Sequence, residues 1–136
     1  MILTICNDKY LPGLCTLLYS LSKHFHGFPN TPVRVLQHRD LCELSGNHKK
    51  AIQGAFPNAD FLYVQDSSYS DAPRVNEKAD NSVYLMLEAF KVGSEQRVIF
   101  MDNDILCVND FSNLLAPRRT YFSSCAAGFS PVTPGI

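Results

Sequence analysis

The sequence predicts a single α/β domain with a mostly parallel sheet flanked by helices. Short, nearly continuous apolar runs alternate along the chain with segments whose apolar residues recur at helical spacing. Strands that are apolar throughout are typical of parallel sheets covered on both faces, and the helices between them form right-handed crossovers. A length of 136 residues suits one compact domain, which we place at residues 1–136.

The first two predicted elements are a strand and a helix. Ile2 to Cys6 is a short apolar run that ends in the polar turn Asn7-Asp8-Lys9. The next segment carries apolar side chains every three or four residues, with Pro12 in its first turn and Gly27 placed to end the helix. Those apolar side chains are Leu14, Leu17, Leu18, Leu21 and Phe25.

Two further strands and a partial helix follow. Val33 to Leu36 is the second predicted strand, and Phe61 to Val64 is the third. Between them, the segment from Leu41 to Phe56 is predicted to be helical only in its later half, because Gly46 and Gly54 weaken it.

The middle of the chain carries a polar loop and then another helix. The loop runs from Asp66 to Asn76 and is longer than the usual connection, which makes it a candidate functional segment. The helix is predicted to end just before Gly93 and to bury one apolar face. That face consists of Val83, Met86, Leu87 and Phe90.

The last predicted elements include the most apolar strand. Arg97 to Met101 forms the fourth strand, which Asp102 ends. Asp110 is predicted to cap a short helix that runs through Leu115. Tyr121 to Ala127 is a candidate fifth strand.

Composition excludes several classes of protein. Twelve Lys and Arg against 13 Asp and Glu leave no cationic excess, so we expect no nucleic-acid partner. A hydrophobic content of 46% excludes disorder, and we expect no transmembrane segment because no run of about 18 apolar residues occurs. The amino-terminal segment lacks a basic region, so we expect no secretory signal.

The cysteines indicate a reducing compartment. Their number is odd and no C-x-x-C occurs, which favours neither a disulfide framework nor a zinc ribbon. We therefore expect buried, reduced thiols and a cytoplasmic location. The cysteines are Cys6, Cys15, Cys42, Cys107 and Cys125.

Polar clusters follow two of the predicted strands. The first strand ends in Cys6-Asn7-Asp8 and the fourth in Asp102-Asn103-Asp104. Ligands of open α/β sheets bind beyond the carboxyl ends of the strands, where strand order reverses. If these two strands are neighbours, both clusters face one crevice.

Asp102 and Asp104 are the candidate metal ligands. Residues two apart in extended chain project to the same side, so both carboxylates can converge on one hard cation such as Mg²⁺ or Mn²⁺. Two carboxylates leave most coordination positions open for water and phosphate oxygens. The alternative is structural: Asp102 ends the strand and Asp104 orders the turn.

The chain contains the segments RVIFMDNDILCVNDFSNLL, ILTICNDKYLPGLCTLLYSL and SVYLMLEAFKV, which together resemble glycosyltransferase family 8, the glycogenin and galactosyltransferase group. RVIFMDNDILCVNDFSNLL resembles the family's hydrophobic strand, D-x-D and following segment, and ILTICNDKYLPGLCTLLYSL is similar to its opening strand, N-D-x-Y turn and first helix. SVYLMLEAFKV resembles the helix that precedes the D-x-D in bacterial members. The order and spacing of the three segments agree over nearly the whole chain.

The resemblance implies a Rossmann-like GT-A fold and a nucleotide-sugar donor, usually a UDP-sugar. It also implies a divalent metal, usually Mn²⁺, held by Asp102 and Asp104, and transfer with retention at the anomeric carbon. The acceptor would be a saccharide or a glycoconjugate.

The resemblance also implies nucleoside contacts. Thr4, Asn7 and Tyr10 match positions at which the family contacts the nucleoside. Tyr10 would lie against the uracil ring, and Asn103 would approach the ribose. An ordinary packing role at the start of a helix is the alternative for Tyr10.

The chain departs from the family pattern in two ways. Met86 stands where the resemblance implies a donor-binding Lys or Arg, and Arg74, Lys78 or Lys91 could substitute only by reaching in from elsewhere. In the family, an N-S/T-G strand, acceptor-side carboxylates and a late histidine ligand lie beyond the position of Ile136. We therefore expect the acceptor half to be absent from residues 1–136 and an exposed apolar patch to permit self-association.

The chain's own histidines are not expected to supply that ligand. His24 and His26 follow one another with one residue between them at the end of the first helix, and no carboxylate or cysteine lies at ligand spacing. We expect both side chains to be solvated.

Two other functions compete with a glycosyltransferase. One is a non-catalytic α/β module that binds a nucleotide, which Met86 favours. The other is an aspartate-nucleophile phosphatase, in which Asp102 would attack phosphorus and Asp104 would act as acid and base. Ile105 and Leu106 stand where the phosphatase pattern continues with Gly-Thr or a similar hydroxyl residue, which argues against it.

Overall fold

A computed structural model describes residues 1–73, 81–91 and 97–115, and its four strands form one parallel sheet. The strands lie in the order β3-β2-β1-β4 and pair in parallel throughout. Ile2 pairs with Val33 on one side and with Ile99 on the other, so β1 lies inside the sheet. The predicted α/β class and parallel sheet are confirmed. The strands are β1 Ile2–Ile5, β2 Val33–Gln37, β3 Ala59–Tyr63 and β4 Ile99–Phe100.

All four strands differ from their predicted bounds. β1 ends at Ile5 rather than Cys6 and β2 at Gln37 rather than Leu36, and the larger differences, in β3 and β4, follow the register of the sheet. β3 begins at Ala59, which pairs with Val33, two positions before the predicted start at Phe61. β4 is shorter than the predicted strand, since only Ile99 and Phe100 form bridges with β1. The predicted fifth strand lies outside the described residues.

The helices are α1 Leu11–His24, α2 Gly46–Ala55 and α3 Ser112–Leu115. Ser45 caps α2 by accepting a hydrogen bond from the His48 amide, which confirms the helical later half of that segment. α1 ends at His24 rather than at Gly27, and Gly27 has φ −75°, so it does not act as a left-handed helix cap.

Two hydrophobic clusters cover the two faces of the sheet, as the parallel-sheet prediction requires. Ile2 and Leu3 alternate between these clusters, because successive strand residues point to opposite faces. On one face, β1 and β2 pack against the fully buried leucines of α1. On the other, Leu3 and Leu36 pack against Tyr69 and Leu85. The buried leucines of α1 are Leu14, Leu17, Leu18 and Leu21.

The predicted buried face of the helix near residue 85 is wrong. Asn81–Phe90 is a 3₁₀ helix, in which three residues complete a turn, so the 3.6-residue period does not select its inner face. Leu85 is buried against the sheet, and the amide nitrogen of the buried Asn81 donates to the Ser70 and Ala72 carbonyls. The predicted residues Val83, Met86, Leu87 and Phe90 are exposed.

The burial prediction for the cysteines holds for three residues and fails for one. Cys6, Cys42 and Cys107 are buried, whereas Cys15 is exposed on α1; all four are free thiols. Cys125 lies outside the described residues. In the described part of the chain, no helix is long and apolar enough to cross a membrane.

Candidate functional site

An open crevice of about 300 Å³ lies beyond the carboxyl ends of β1 and β4. Its walls include five of the residues predicted from sequence to form the site: Asn7, Tyr10, Asp102, Asn103 and Asp104. They meet because β1 and β4 are neighbours in the sheet. The Met101 amide donates to the Leu3 carbonyl at 2.8 Å, so the D-x-D turn begins where the pairing ends.

Asn103 fixes the D-x-D turn to β1. Its amide nitrogen donates to the Ile5 carbonyl at 2.6 Å, and its Oδ1 accepts from the Thr4 hydroxyl at 3.0 Å. Thr4 is fully buried and lies outside the crevice wall. In this structure, Thr4 therefore acts on the crevice by positioning Asn103.

Gly13 brings the start of α1 against the same turn. A Cβ at this position would lie 2.8 Å from the Asn103 carbonyl oxygen, closer than side-chain carbons normally approach. Only glycine permits this contact between two backbones. Sequence reasoning missed Gly13; the available signal was a glycine placed in the first turn of a helix.

The turn after β1 is held by a local cap. Asn7 Oδ1 accepts hydrogen bonds from the amides of Lys9 and Tyr10 at 3.0 and 3.3 Å, which stabilises the 3₁₀ helix Asp8–Tyr10. Tyr10 is 49% exposed beside the crevice, with Lys9 Nζ 5.1 Å from its ring centroid. Its ring is therefore accessible to a ligand.

Asp8 joins this turn to α2 rather than facing the crevice. One carboxylate oxygen accepts from the Ser45 amide at 2.9 Å and contacts His48 Nδ1 at 2.8 Å. The hydrogen bonds from His48 and Ser45 lower the pKa of Asp8. The Asp8 carboxylate therefore connects the turn after β1 to the start of α2.

Gln37 is the buried support of the β1 end. Its amide nitrogen donates to the Cys6 carbonyl at 2.9 Å, and its oxygen accepts from the Leu44 amide at 2.7 Å. Burial raises the pKa of the Cys6 thiol to about 12, so the thiol stays protonated. Sequence reasoning missed Gln37; the signal was a glutamine directly after the second predicted strand, Val33 to Leu36.

The donor chemistry of the D-x-D turn fits a hard divalent cation. Asp102 and Asp104 are exposed at the crevice, and neither forms an ion pair within residues 1–73, 81–91 and 97–115. In the same ranges, no third His, Cys, Asp or Glu joins them as a ligand. Mg²⁺ and Mn²⁺ accept such sites when water or phosphate oxygens complete the shell.

The crevice receives no cation from the 81–90 helix. Ser82 and Val83 line it, whereas Met86 is exposed elsewhere. Lys91 instead binds Glu88 at 2.7 Å and Asp66 at 3.3 Å. Arg74 and Lys78, the other candidate phosphate contacts, lie outside the described residues.

The histidines at the end of α1 are solvated, as predicted. His24 and His26 are both exposed. His26 lies 3.6 Å from Asp110, which also accepts a hydrogen bond from the His26 amide at 3.0 Å. The Asp110 carboxylate accepts from the Ser112 backbone amide at 3.4 Å and from the Ser112 hydroxyl at 2.7 Å, so it caps the start of α3 as predicted.

The fold is similar to that of solved glycosyltransferase structures. The chain is similar to galactosyltransferase LgtC in complex with donor and acceptor sugar analogs, at TM-score 0.64 and 20% identity over 83% of this chain and 41% of that chain. An active-site variant of LgtC gives the same TM-score and identity over 83% of this chain and 40% of that chain. The apo bifunctional glycosyltransferase WbbM matches at TM-score 0.57 and 19% identity, over 84% of this chain and 20% of that chain.

The comparisons confirm the fold that the sequence resemblance implied, a GT-A-type α/β fold. The chain spans about two fifths of the length of LgtC. No protein-family model and no curated protein matches it.

Proposed function

We propose that this chain is the nucleotide-sugar-binding part of a retaining glycosyltransferase of family 8 type, which transfers a hexose from a UDP-sugar. The observation that carries the proposal is the crevice beyond the carboxyl ends of β1 and β4. There, two carboxylates without ion pairs in the described part of the chain stand beside an exposed tyrosine, in a fold shared with galactosyltransferase LgtC.

Asp102 and Asp104 would hold Mn²⁺ or Mg²⁺ in this proposal. Their exposure leaves coordination positions for diphosphate oxygens. A divalent cation at this position would neutralise the charge that develops on the departing diphosphate. Asn103 and Gly13 keep the turn in place, so the carboxylates need little rearrangement on binding.

The nucleoside would lie against the turn that follows β1. The accessible ring of Tyr10 can stack on the uracil, because an aromatic face binds the face of a base. Asn7 and Asn103 line the same crevice, and each would offer the ribose an amide N–H that its hydrogen bonds within the described residues do not use. Thr4 supports this contact by anchoring Asn103.

Further partners follow from the same proposal. The acceptor would be a saccharide or a glycoconjugate. Self-association is supported by apolar side chains exposed after the D-x-D turn, among them Ile105, Leu106 and Val108. A cytoplasmic location stays a prediction that rests on the free thiols.

Titration calorimetry with UDP, in the presence and absence of Mn²⁺, tests the site. We expect metal-dependent binding that falls more than about tenfold in Asp102→Asn, because the variant loses a charged metal ligand. Asp71→Asn is the matched control, since this exposed carboxylate lies outside the crevice. The absence of metal-dependent heat at millimolar UDP would contradict the proposal.

Turnover separates the proposal from its rivals. Release of sugar from labelled UDP-sugars would support a transferase, whereas tight UDP binding without turnover would indicate that the chain is a non-catalytic nucleotide-binding module. Formation of a beryllofluoride adduct on Asp102 would instead indicate the aspartate-nucleophile phosphatase.

A further inference from the structure

A second cavity, of about 670 Å³, lies beyond the carboxyl ends of β2 and β3. The loop of residues 38–44 separates it from the crevice: Cys42 lines the crevice, and His38 and Glu43 line the second cavity. Two backbone hydrogen bonds of 2.8 and 2.9 Å between His38 and Cys42 hold this wall. The volume is within the range of about 300–1,000 Å³ that small ligands occupy in proteins.

Tyr63 provides a fixed aromatic wall in the second cavity. Its hydroxyl bonds both Lys49 and Glu43, and Lys49 Nζ lies 4.7 Å from the ring centroid. The Lys49 side chain is only 16% exposed and packs against the Tyr63 ring. Tyr63 nevertheless remains 47% exposed. The ring is therefore held in place and accessible before any ligand binds.

The remaining walls carry polar groups ready for hydrogen bonding. Arg39, Asp40 and Gln65 are exposed, and their side chains form no hydrogen bond or ion pair in the described part of the chain. Hydrogen bonds from Tyr63 and Lys49 lower the pKa of Glu43, which stays ionised at neutral pH. Donors and acceptors thus surround the exposed ring.

The charges at the second cavity balance. Arg39 and Asp40 line the cavity with opposite charges, and the adjacent Lys49 pairs with Glu43 of the lining at 3.2 Å. A phosphate or another polyanion would need an excess of cations that the described walls lack. A purely apolar ligand would leave the polar walls without hydrogen-bond partners.

We propose that the second cavity binds a neutral saccharide, with a sugar ring against Tyr63 and its hydroxyls paired with Arg39 and Asp40. A pyranose presents an apolar face of C–H groups and a rim of hydroxyls that both donate and accept. This matches an aromatic wall surrounded by mixed polar side chains. The inference goes beyond the proposed donor site and does not depend on Asp102 or Asp104.

Amide chemical-shift mapping of the ¹⁵N-labelled chain, titrated with lactose and with maltose, tests this inference. We expect saturable shifts at residues 38–43 and 63–65 with at least one of the two sugars, and no shifts at Asn7 or Tyr10. Inorganic phosphate should leave these amides unchanged. The absence of saturable shifts with both sugars, shifts confined to the crevice, or tighter binding of phosphate would each overturn the proposal.

Substitutions of Tyr63 locate the contact. Tyr63→Ala should raise the dissociation constant of the bound sugar about tenfold through loss of the ring face, whereas Tyr63→Phe should stay within about threefold. Tyr19→Ala is the matched control, because Tyr19 is 60% exposed on α1 with Lys23 Nζ 5.3 Å from its ring. Unchanged affinity in a folded Tyr63→Ala variant would refute the proposal.

If Tyr63→Ala does not fold, the wild-type titration and Tyr63→Phe decide the question. Binding of UDP with Mn²⁺ is measured separately on the same samples. A failure of the donor site is thus distinguished from a failure of the second cavity.

Discussion

The two sides of the crevice are built in different ways. The turn after β1 has a local cap, because Asn7 caps the 3₁₀ helix that follows it directly, and Asp8 and Gln37 add ties to chain 31 to 40 positions away. The D-x-D turn makes its anchoring hydrogen bonds to distant chain: Thr4 and Asn103 are 99 positions apart. The β1 side therefore has a cap within its own turn besides its ties to β2 and α2, whereas the anchors of the D-x-D side form only when β4 docks beside β1.

Gln37→Met should have the largest effect on stability and tests the support beneath the β1 side. The substitution keeps the side-chain length but leaves the Cys6 carbonyl and the Leu44 amide without their partner. Two buried groups without hydrogen bonds cost about 3 kcal/mol of unfolding free energy. Urea denaturation measures this loss.

The control for this variant is Gln53→Met, on the exposed surface of α2, which should stay within about 0.5 kcal/mol of wild type. Equal stability of Gln37→Met and wild type would show that the local turn needs no buried support.

Gly13→Ala tests the D-x-D side directly. The added methyl group meets the Asn103 carbonyl at 2.8 Å, so the turn or the helix must move, at a cost of about 1–3 kcal/mol. Displacing the carboxylates should also lower Mn²⁺-dependent UDP affinity about tenfold, as seen by calorimetry.

Gly54→Ala is the matched control within α2, where an added Cβ meets no atom within 4 Å. It should raise stability by up to about 1 kcal/mol, because alanine favours a helix over glycine. Equal UDP affinity in Gly13→Ala and Gly54→Ala would show that Gly13 does not position the UDP site.

Thr4→Val removes one anchor of the D-x-D turn with little change of shape. Loss of the hydrogen bond to Asn103 should cost about 1 kcal/mol. Metal-dependent UDP affinity should fall severalfold, while the fold measured by circular dichroism stays unchanged. Thr16→Val, on the exposed surface of α1, provides the comparison and should leave UDP affinity as it is.

The smallest effect concerns the pH dependence of the β1 side. Hydrogen bonds from His48 and Ser45 lower the pKa of Asp8, so its stabilisation is present above its unfolded pKa of about 3.9 and is lost as pH falls further. In denaturation series at falling pH, Asp8→Asn should therefore lose less stability than wild type below about pH 4. Asp71→Asn, an exposed variant outside this contact, should follow wild type.

Much of the candidate site was predictable because it lies at the ends of strands. Apolar runs followed by polar residues indicated where β1 and β4 end, and parallel pairing then brings those ends together. Asp102 and Asp104 could be chosen as candidate metal ligands from the sequence alone, since residue type and spacing define the D-x-D pattern. Their roles in binding remain predictions.

Other features depend on contacts that no local pattern reveals. Gly13 matters because the backbone of Asn103 packs against it. Gln37 matters because its side chain bonds both the Cys6 carbonyl and the Leu44 amide, which lie in different loops. The apolar period placed the wrong face of the 81–90 helix inward, because the 3₁₀ turn and the amide contacts of Asn81 set its rotation. Cys15 is exposed because α1 buries a leucine stripe on its other side.

The sequence by itself determined the α/β class, most of the elements and the acidic pair after the fourth strand, because these follow from the period of apolar residues and from residue type. The tertiary structure decided the strand order, the anchoring of Asn103 and the second cavity beside Tyr63. These depend on atoms from segments far apart in the chain, which come within hydrogen-bonding distance only when the sheet has formed.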